Sequence, residues 1–259
     1  MVAFIRTACG TGGCKRGGPG LKSYTIHLIR HGMTPGNEEG RYIGSTDLPL
    51  SEAGVRRLKA LAAKYPYPRA GAYFCSPLKR CTQTVQLLYP EAKPILVDEF
   101  RECDFGAWEG KTAKEIAAND PAFARWISGQ GREVTPPNGE SGGVFMQRTC
   151  AAFEKIVKGL MTSGVTSAVI VAHGGTLMSI LSAYGLPRAK FYDWMTESGC
   201  GYSMRITPGL WMRSMVGEVF AKIPEEEEKD AGNGVMMIDL AREAAEKAFG
   251  KQKKDQNDG

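Results

Sequence analysis

The chain has 259 residues, 42% of them hydrophobic, and a formal net charge of +5. That length can bury a full core in one domain with extensions, and the mild basicity comes without a basic helix interleaved with aromatics; nucleic acid is therefore not an expected partner, and an anionic small molecule is. No apolar stretch reaches the roughly 18 residues of a membrane span and the N-terminus lacks the apolar core of a secretion signal, so a soluble, cytoplasmic protein without a membrane partner is expected.

Residues 1–22 are rich in glycine (Gly10, Gly12, Gly13, Gly17, Gly18 and Gly20 around Pro19) and read as a flexible leader. The seven cysteines are scattered, and no Cys-x-x-Cys ladder occurs. Free thiols without a metal are expected, including Cys9 and Cys14 of the leader.

The domain proper is expected over 23–224. Its first strand is the apolar run from Tyr24 to Ile29, followed by Arg30-His31-Gly32. His27 alternates with Ile26 and Leu28 inside that run and reads as structural. A polar loop over 33–50 carries Thr34, Asn37, Arg41, Ser45 and Thr46. Ser51 is placed to cap a helix through Tyr65, with Val55, Leu58, Leu61 and Ala62 at helical spacing. The run Ala72–Cys75 is a buried strand. Ser76-Pro77 reads as the N-cap and first residue of the next helix, with Arg80 in its first turn.

Residues 94–97 make a short strand, and the loop after it holds Glu99, Arg101, Glu102, Asp104 and Glu109. Thr112 with Glu115 is a capping box, and Asp120-Pro121 opens a second short helix bearing Phe123 and Trp126; the two helices are expected to cap the domain. The turn at 136–141 leads into a helix from Gly143 to about Met161. A second apolar strand then ends in Ala172-His173-Gly174-Gly175, with a helix to Tyr184 behind it. Edge strands are expected near 202–206 and 215–221. Within the tail over 225–259, residues 235–249 form a modest amphipathic helix.

Both apolar strands end in His-Gly, in a chain with only three histidines. Ligands of open α/β sheets bind outside the carboxyl ends of the strands, so two imidazoles are expected over one crevice. Arginine offers a planar fork of donors that matches phosphate oxygens, and a neutral imidazole is a good nucleophile toward phosphorus. Arg30, His31, Arg80, His173 and a carboxylate from the 99–109 loop therefore point to phosphoryl chemistry, the carboxyl group serving as acid and then as base. Phe105, Trp108, Phe123 and Trp126 could stack on an aromatic base or form the interior of the cap.

At these residues the chain resembles the histidine phosphatase superfamily, also called phosphoglycerate mutase-like. Arg30-His31-Gly32 matches its signature, as do Gly44-Ser45-Thr46-Asp47-x-Pro49-Leu50-Ser51, Ser76-Pro77-Leu78-x-Arg80-x-x-Gln83-Thr84, Glu102-x-x-Phe105-Gly106-x-Trp108-Glu109-Gly110, Asn138-Gly139-Glu140-Ser141 and His173-Gly174-Gly175. The resemblance covers about Tyr24 to Ile206. It implies an α/β fold, a three-layer α/β/α sandwich with a mostly parallel central sheet and a small helical cap. It also implies that His31 becomes a transient phosphohistidine, that Glu102 is the proton donor, and that Arg30, Arg80, His173, Asn37 and Gly174 bind the phosphoryl group. No cofactor is implied.

Within that family, mutases carry a longer insertion after the acid and an adjacent arginine pair, whereas this chain offers only the separated Arg125 and Arg132. The resemblance therefore implies hydrolysis of a small phosphate monoester, closest to the α-ribazole phosphatase branch of cobalamin assembly. A cofactor-dependent phosphoglycerate mutase is the nearest rival, and a non-catalytic phosphate-binding module the rival from another class.

Overall fold

Local chemistry sets the helix starts in the computed structural model, which describes residues 22–225. Strand β1 (Tyr24–Arg30) leads into a one-turn helix α1 (Pro35–Glu38), whose cap is reciprocal between Thr34 and Asn37. Helix α2 (Glu52–Lys64) starts where the Ser51 hydroxyl accepts from the Gly54 amide at 2.9 Å. Strand β2 (Ala72–Cys75), helix α3 (Lys79–Leu88) and a two-residue strand β3 (Ile95–Leu96) follow.

The cap comprises α4 (Ala113–Asn119), set by the Thr112–Glu115 capping box, and α5 (Ala122–Arg125). Helix α6 (Gly142–Ser163) is capped by Ser141 and stops at Gly164, a left-handed residue at φ 80° where glycine avoids the Cβ penalty. Strand β4 (Ser167–Ala172), helix α7 (Gly174–Tyr184), strands β5 (Gly185–Leu186) and β6 (Gly201–Ile206), helix α8 (Pro208–Ser214) and strand β7 (Gly217–Ile223) complete the described residues. The expected leader up to residue 21, with Cys9 and Cys14, and the tail from 226, with segment 235–249, lie outside them.

The strands pair in the order β3-β2-β4-β1-β6-β7-β5. Pairings are parallel except β1–β6 and β6–β7. Side chains alternate across a strand, and this chain uses the alternation to bury both faces. Ile26 and Leu28 of β1 and Ala168, Ile170 and Ala172 of β4 pack with Phe153 and Val157 of α6 and Leu177 and Ile180 of α7. Ile29, Val169 and Val171 face the other way, against Cys81 and Val85 of α3. The result is the α/β/α sandwich with a mostly parallel sheet. His27 shares a cross-strand site with Ser203 and hydrogen-bonds it through Nδ1 at 2.9 Å, a structural role.

Two expectations are corrected. The strands near 202–206 and 215–221 are not both edges: β6 lies between β1 and β7, and nearly all its residues are buried, while β7 is covered by the two-residue β5 only at Gly217 and Glu218 and is open along the rest of its length among the described residues. Nor does Ser76 cap α3. That helix begins at Lys79 behind Leu78, which makes no side-chain cap, because the Ser76 hydroxyl is taken by a histidine.

Candidate active site

The register of three parallel strands assembles the centre. Arg30 of β1 stands opposite Ala172 of β4, and Cys75 of β2 opposite Val171. One residue further along, His31, His173 and Ser76 emerge together from neighbouring carboxyl ends. The His31 amide donates to the Ala172 carbonyl at 2.9 Å and the Ser76 amide to the Val171 carbonyl at 3.0 Å. The two imidazole rings lie 5.1 Å apart, edge to face.

His31 is buried, and its Nδ1 lies 2.6 Å from the Gly32 carbonyl. A carbonyl only accepts, so Nδ1 carries the proton and Nε2 presents its lone pair. Burial first, then the charges of Arg80 and Arg30, hold the His31 pKa well below the usual imidazole range. The ring is neutral and basic at one nitrogen, the form a nucleophile needs.

Arg80, 1% exposed, is held at all three nitrogens. Nη2 donates to the Gly44 carbonyl at 2.7 Å, Nη1 to the Thr46 carbonyl at 2.8 Å, and Nε to His173 Nδ1 at 3.2 Å. Arg30 donates from Nη1 to the Thr196 carbonyl at 2.6 Å, while its buried Nε has no hydrogen-bond partner among the described residues. Such a buried charged donor suits an anion, since leaving it unpaired is costly. Gly174 opens α7 beside that guanidinium: a Cβ there would lie 3.5 Å from Arg30 Nε.

Glu102 comes over from the far side. Its Oε1 accepts from its neighbour's amide, Cys103 N, at 3.0 Å, and Oε2 accepts from Gly175 N at 3.1 Å. A Cβ at position 175 would come within 2.4 Å of the carboxylate, so a side chain there would push Glu102 aside. Burial raises the Glu102 pKa, offset in part by those two amides and by Arg80 and Arg30. A carboxyl group with raised proton affinity is what a general acid requires.

The other carboxylates of the 99–109 loop have different occupations. Glu99, its side chain 45% exposed, pairs with Lys155 at 3.6 Å. Glu109 accepts from the amides of Gly44 at 2.9 Å and Ser45 at 2.8 Å and from the Thr46 hydroxyl at 2.7 Å, and so shapes the loop that receives Arg80. Asn37 uses Oδ1 to accept from the Thr34 amide at 3.1 Å and hydroxyl at 2.9 Å, which places it in the α1 cap.

Sequence reasoning missed two groups. Ser76 Oγ lies 2.8 Å from His173 Nε2. Arg148 of α6 pairs through Nε and Nη2 with Glu140 and donates to the carbonyls of Glu99 at 2.7 Å, Arg101 at 2.8 Å and Glu102 at 3.1 Å. The Glu140 motif was visible, but its partner eight residues on gave no signal beyond helical periodicity. The cap aromatics pack on one another, Trp108 and Phe123 buried and Phe105 and Trp126 half-buried against them. Trp108 and Phe123 are buried with Ile116 and Val134, their rings edge to face at 5.3 Å, and Trp126 packs on Trp108 at 5.6 Å.

A family model described as the histidine phosphatase superfamily (branch 1) matches residues 26–217. An adenosylcobalamin/alpha-ribazole phosphatase of Salmonella typhimurium is 28% identical over 191 residues, 71% of this chain and 92% of that protein. A bifunctional protein of Mycobacterium tuberculosis is 38% identical over 151 residues, 56% of this chain and 40% of that protein. The chain thus matches well under half the length of that mycobacterial relative. Among solved structures, the alpha-ribazole phosphatase of Shigella flexneri has the same fold, with a TM-score of 0.62 at 23% identity over 76% of this chain and 94% of that one.

Proposed function

The chain belongs to branch 1 of the histidine phosphatase superfamily, and on that premise we propose that it hydrolyses small-molecule phosphate monoesters through a phosphohistidine on His31. The observation that carries this reading is the pairing of a neutral His31, Nε2 unprotonated, with the unpartnered Nε of Arg30 in one buried crevice.

The residues support two steps. In the first, Nε2 of His31 attacks phosphorus, the ester P–O bond breaks, and Glu102 gives its proton to the departing alkoxide. In the second, the Glu102 carboxylate takes a proton from water as its oxygen attacks phosphorus, the P–N bond breaks, and His31 returns to its neutral form with release of inorganic phosphate. Arg30 and Arg80 hold the phosphoryl oxygens throughout and stabilise their charge, with His173, the Gly174 backbone and Asn37 completing the pocket.

Hydrolysis is favoured over mutase transfer because the cap arginines Arg125 and Arg132 are not adjacent, and Arg125 and the nearby Arg41 have other partners. Arg125 pairs with Glu133 at 3.1 Å, and Arg41 pairs with Glu39 and donates to the Gly110 carbonyl at 2.7 Å. A second acidic group on the substrate finds no adjacent arginine pair there. The Salmonella relative makes α-ribazole phosphate the first substrate to try. No helix among the described residues is long and apolar enough to cross a membrane, and none of their cysteines forms a disulfide, which suits the reducing cytoplasm we propose. A panel of α-ribazole phosphate, p-nitrophenyl phosphate and 3-phosphoglycerate, ranked by kcat/KM with wild type and His31→Ala, tests the reading. Release of inorganic phosphate by wild type alone supports it; phosphoryl transfer between phosphoglycerates without release, or no turnover of any monoester, contradicts it.

A further inference from the structure

We propose that Ser76 is a positioning residue: its hydroxyl accepts the Nε2–H of His173 at 2.8 Å and so keeps Nδ1 as the acceptor of the Arg80 Nε–H, which fixes that guanidinium beside the proposed phosphoryl pocket. The inference rests on His173 lining the phosphoryl pocket and adds how that ring is held.

The proton assignment follows from donor chemistry. Arg80 Nε can only donate, and it points at His173 Nδ1 from 3.2 Å. Nδ1 therefore carries no hydrogen, the neutral ring bears its proton on Nε2, and Ser76 Oγ is the acceptor within reach. Ser76 is fully buried at the end of β2 and its amide is tied to β4, so the hydroxyl has a fixed place. It serves no helix cap, its contact with the Leu78 amide being a long 3.5 Å.

The other groups facing the ring cannot substitute. From α3, Cys81 Sγ lies 3.5 Å from Nε2 and 3.8 Å from Nδ1, a weak partner that does not tell the two nitrogens apart. From β1 come the neutral His31 ring and the Arg30 guanidinium, and from α6 the more distant Arg148; with Arg80, these cations oppose a charge on the ring before an anion binds. The ring therefore stays neutral, and its Nδ1 lone pair holds the Arg80 Nε–H while the N–H groups of Arg80 not tied to carbonyls remain for an anion. Without Ser76 the ring loses the contact that fixes this direction, and a buried N–H is left without a good acceptor.

The test is a two-bond ¹⁵N–¹H spectrum of the full chain carrying ¹⁵N-histidine, without substrate, beside competitive inhibition by inorganic phosphate. The wild type is expected to show His173 as the Nε2–H tautomer. Ser76→Ala is expected to mix tautomers at His173 and to weaken phosphate inhibition about 10-fold or more, with kcat/KM falling more than kcat. An Nδ1–H tautomer in the wild type overturns the proposal without any variant. So does a Ser76→Ala protein with the wild-type tautomer and phosphate affinity. The spectrum needs no turnover, so it reads the His173 tautomer whether or not any monoester proves to be a substrate.

Discussion

The Glu109 carboxylate accepts the Gly44 amide at 2.9 Å, and the Gly44 carbonyl in turn accepts Arg80 Nη2 at 2.7 Å. An acidic side chain thus sets the orientation of a cation at the proposed phosphoryl pocket through one intervening residue. Glu109→Ala is expected to raise KM and the inhibition constant of phosphate about 10-fold while leaving kcat within a few-fold on alkyl and aryl esters alike. Steady-state kinetics on both ester types checks this. A loss confined to kcat on alkyl esters would mean that Glu109, not Glu102, carries the proton.

Glu102→Gln is expected to slow the first step on an alkyl phosphate by about 10²- to 10⁴-fold, the scale of a positioned general acid, and far less on p-nitrophenyl phosphate, whose phenolate leaves unaided. The acid works only when protonated, and burial raises its pKa. Wild-type kcat/KM on an alkyl ester therefore falls as pH rises through that raised value, above the roughly 4.3 of an ordinary glutamate, and the variant lacks that limb. Rapid-mix kinetics showing equal losses on both esters would remove Glu102 from the role.

How much of this was legible follows from where the information sits. His31 and His173 could be read because each closes an apolar run and parallel pairing of such runs brings their ends together. The positions of β6 and β7 could not, because alternation shows which face is buried but not which strands are neighbours. Helix α8, at Pro208–Ser214 between them, was missed although proline stands at its first position. Ser76 was misread for a chemical reason: a serine before proline makes a good cap, and only the tertiary approach of His173 diverts its hydroxyl. The choice of Glu102 over its neighbours rested on resemblance, since nothing local marks Gly175 as its amide donor.

Arg148 holds the loop of Glu102 by three carbonyls, a task for a planar fork. Arg148→Lys loses most of those bonds and leaves Glu140 poorly paired. Stability is expected to fall by about 1–3 kcal/mol, a Tm lower by roughly 2–12 °C, with a kcat loss on alkyl esters that resembles a mild Glu102 defect. Calorimetry and kinetics together check it; an unchanged Tm would show that the clamp contributes nothing.

Both site histidines have pKa values held well below the usual range, by burial first and then by nearby arginines. The unfolded chain therefore binds protons first on acidification. Their contribution to stability is complete above about pH 6.5, the unfolded value, and is lost as pH falls through it toward the depressed folded values. His173→Gln is expected to show a smaller Tm drop between pH 7 and pH 5 than the wild type. An equal drop in thermal melts at the two pH values would argue against neutral burial.

The most direct test of the phosphohistidine mechanism is to trap the intermediate. After brief exposure to labelled p-nitrophenyl phosphate, the wild-type protein is expected to carry an acid-labile, base-stable label on the peptide containing His31, attached at Nε2 because Nδ1 is held by the Gly32 carbonyl at 2.6 Å. His31→Ala should neither label nor turn over, since the covalent route is gone. A label that survives acid, a label on another residue, or an active His31→Ala protein would contradict the mechanism.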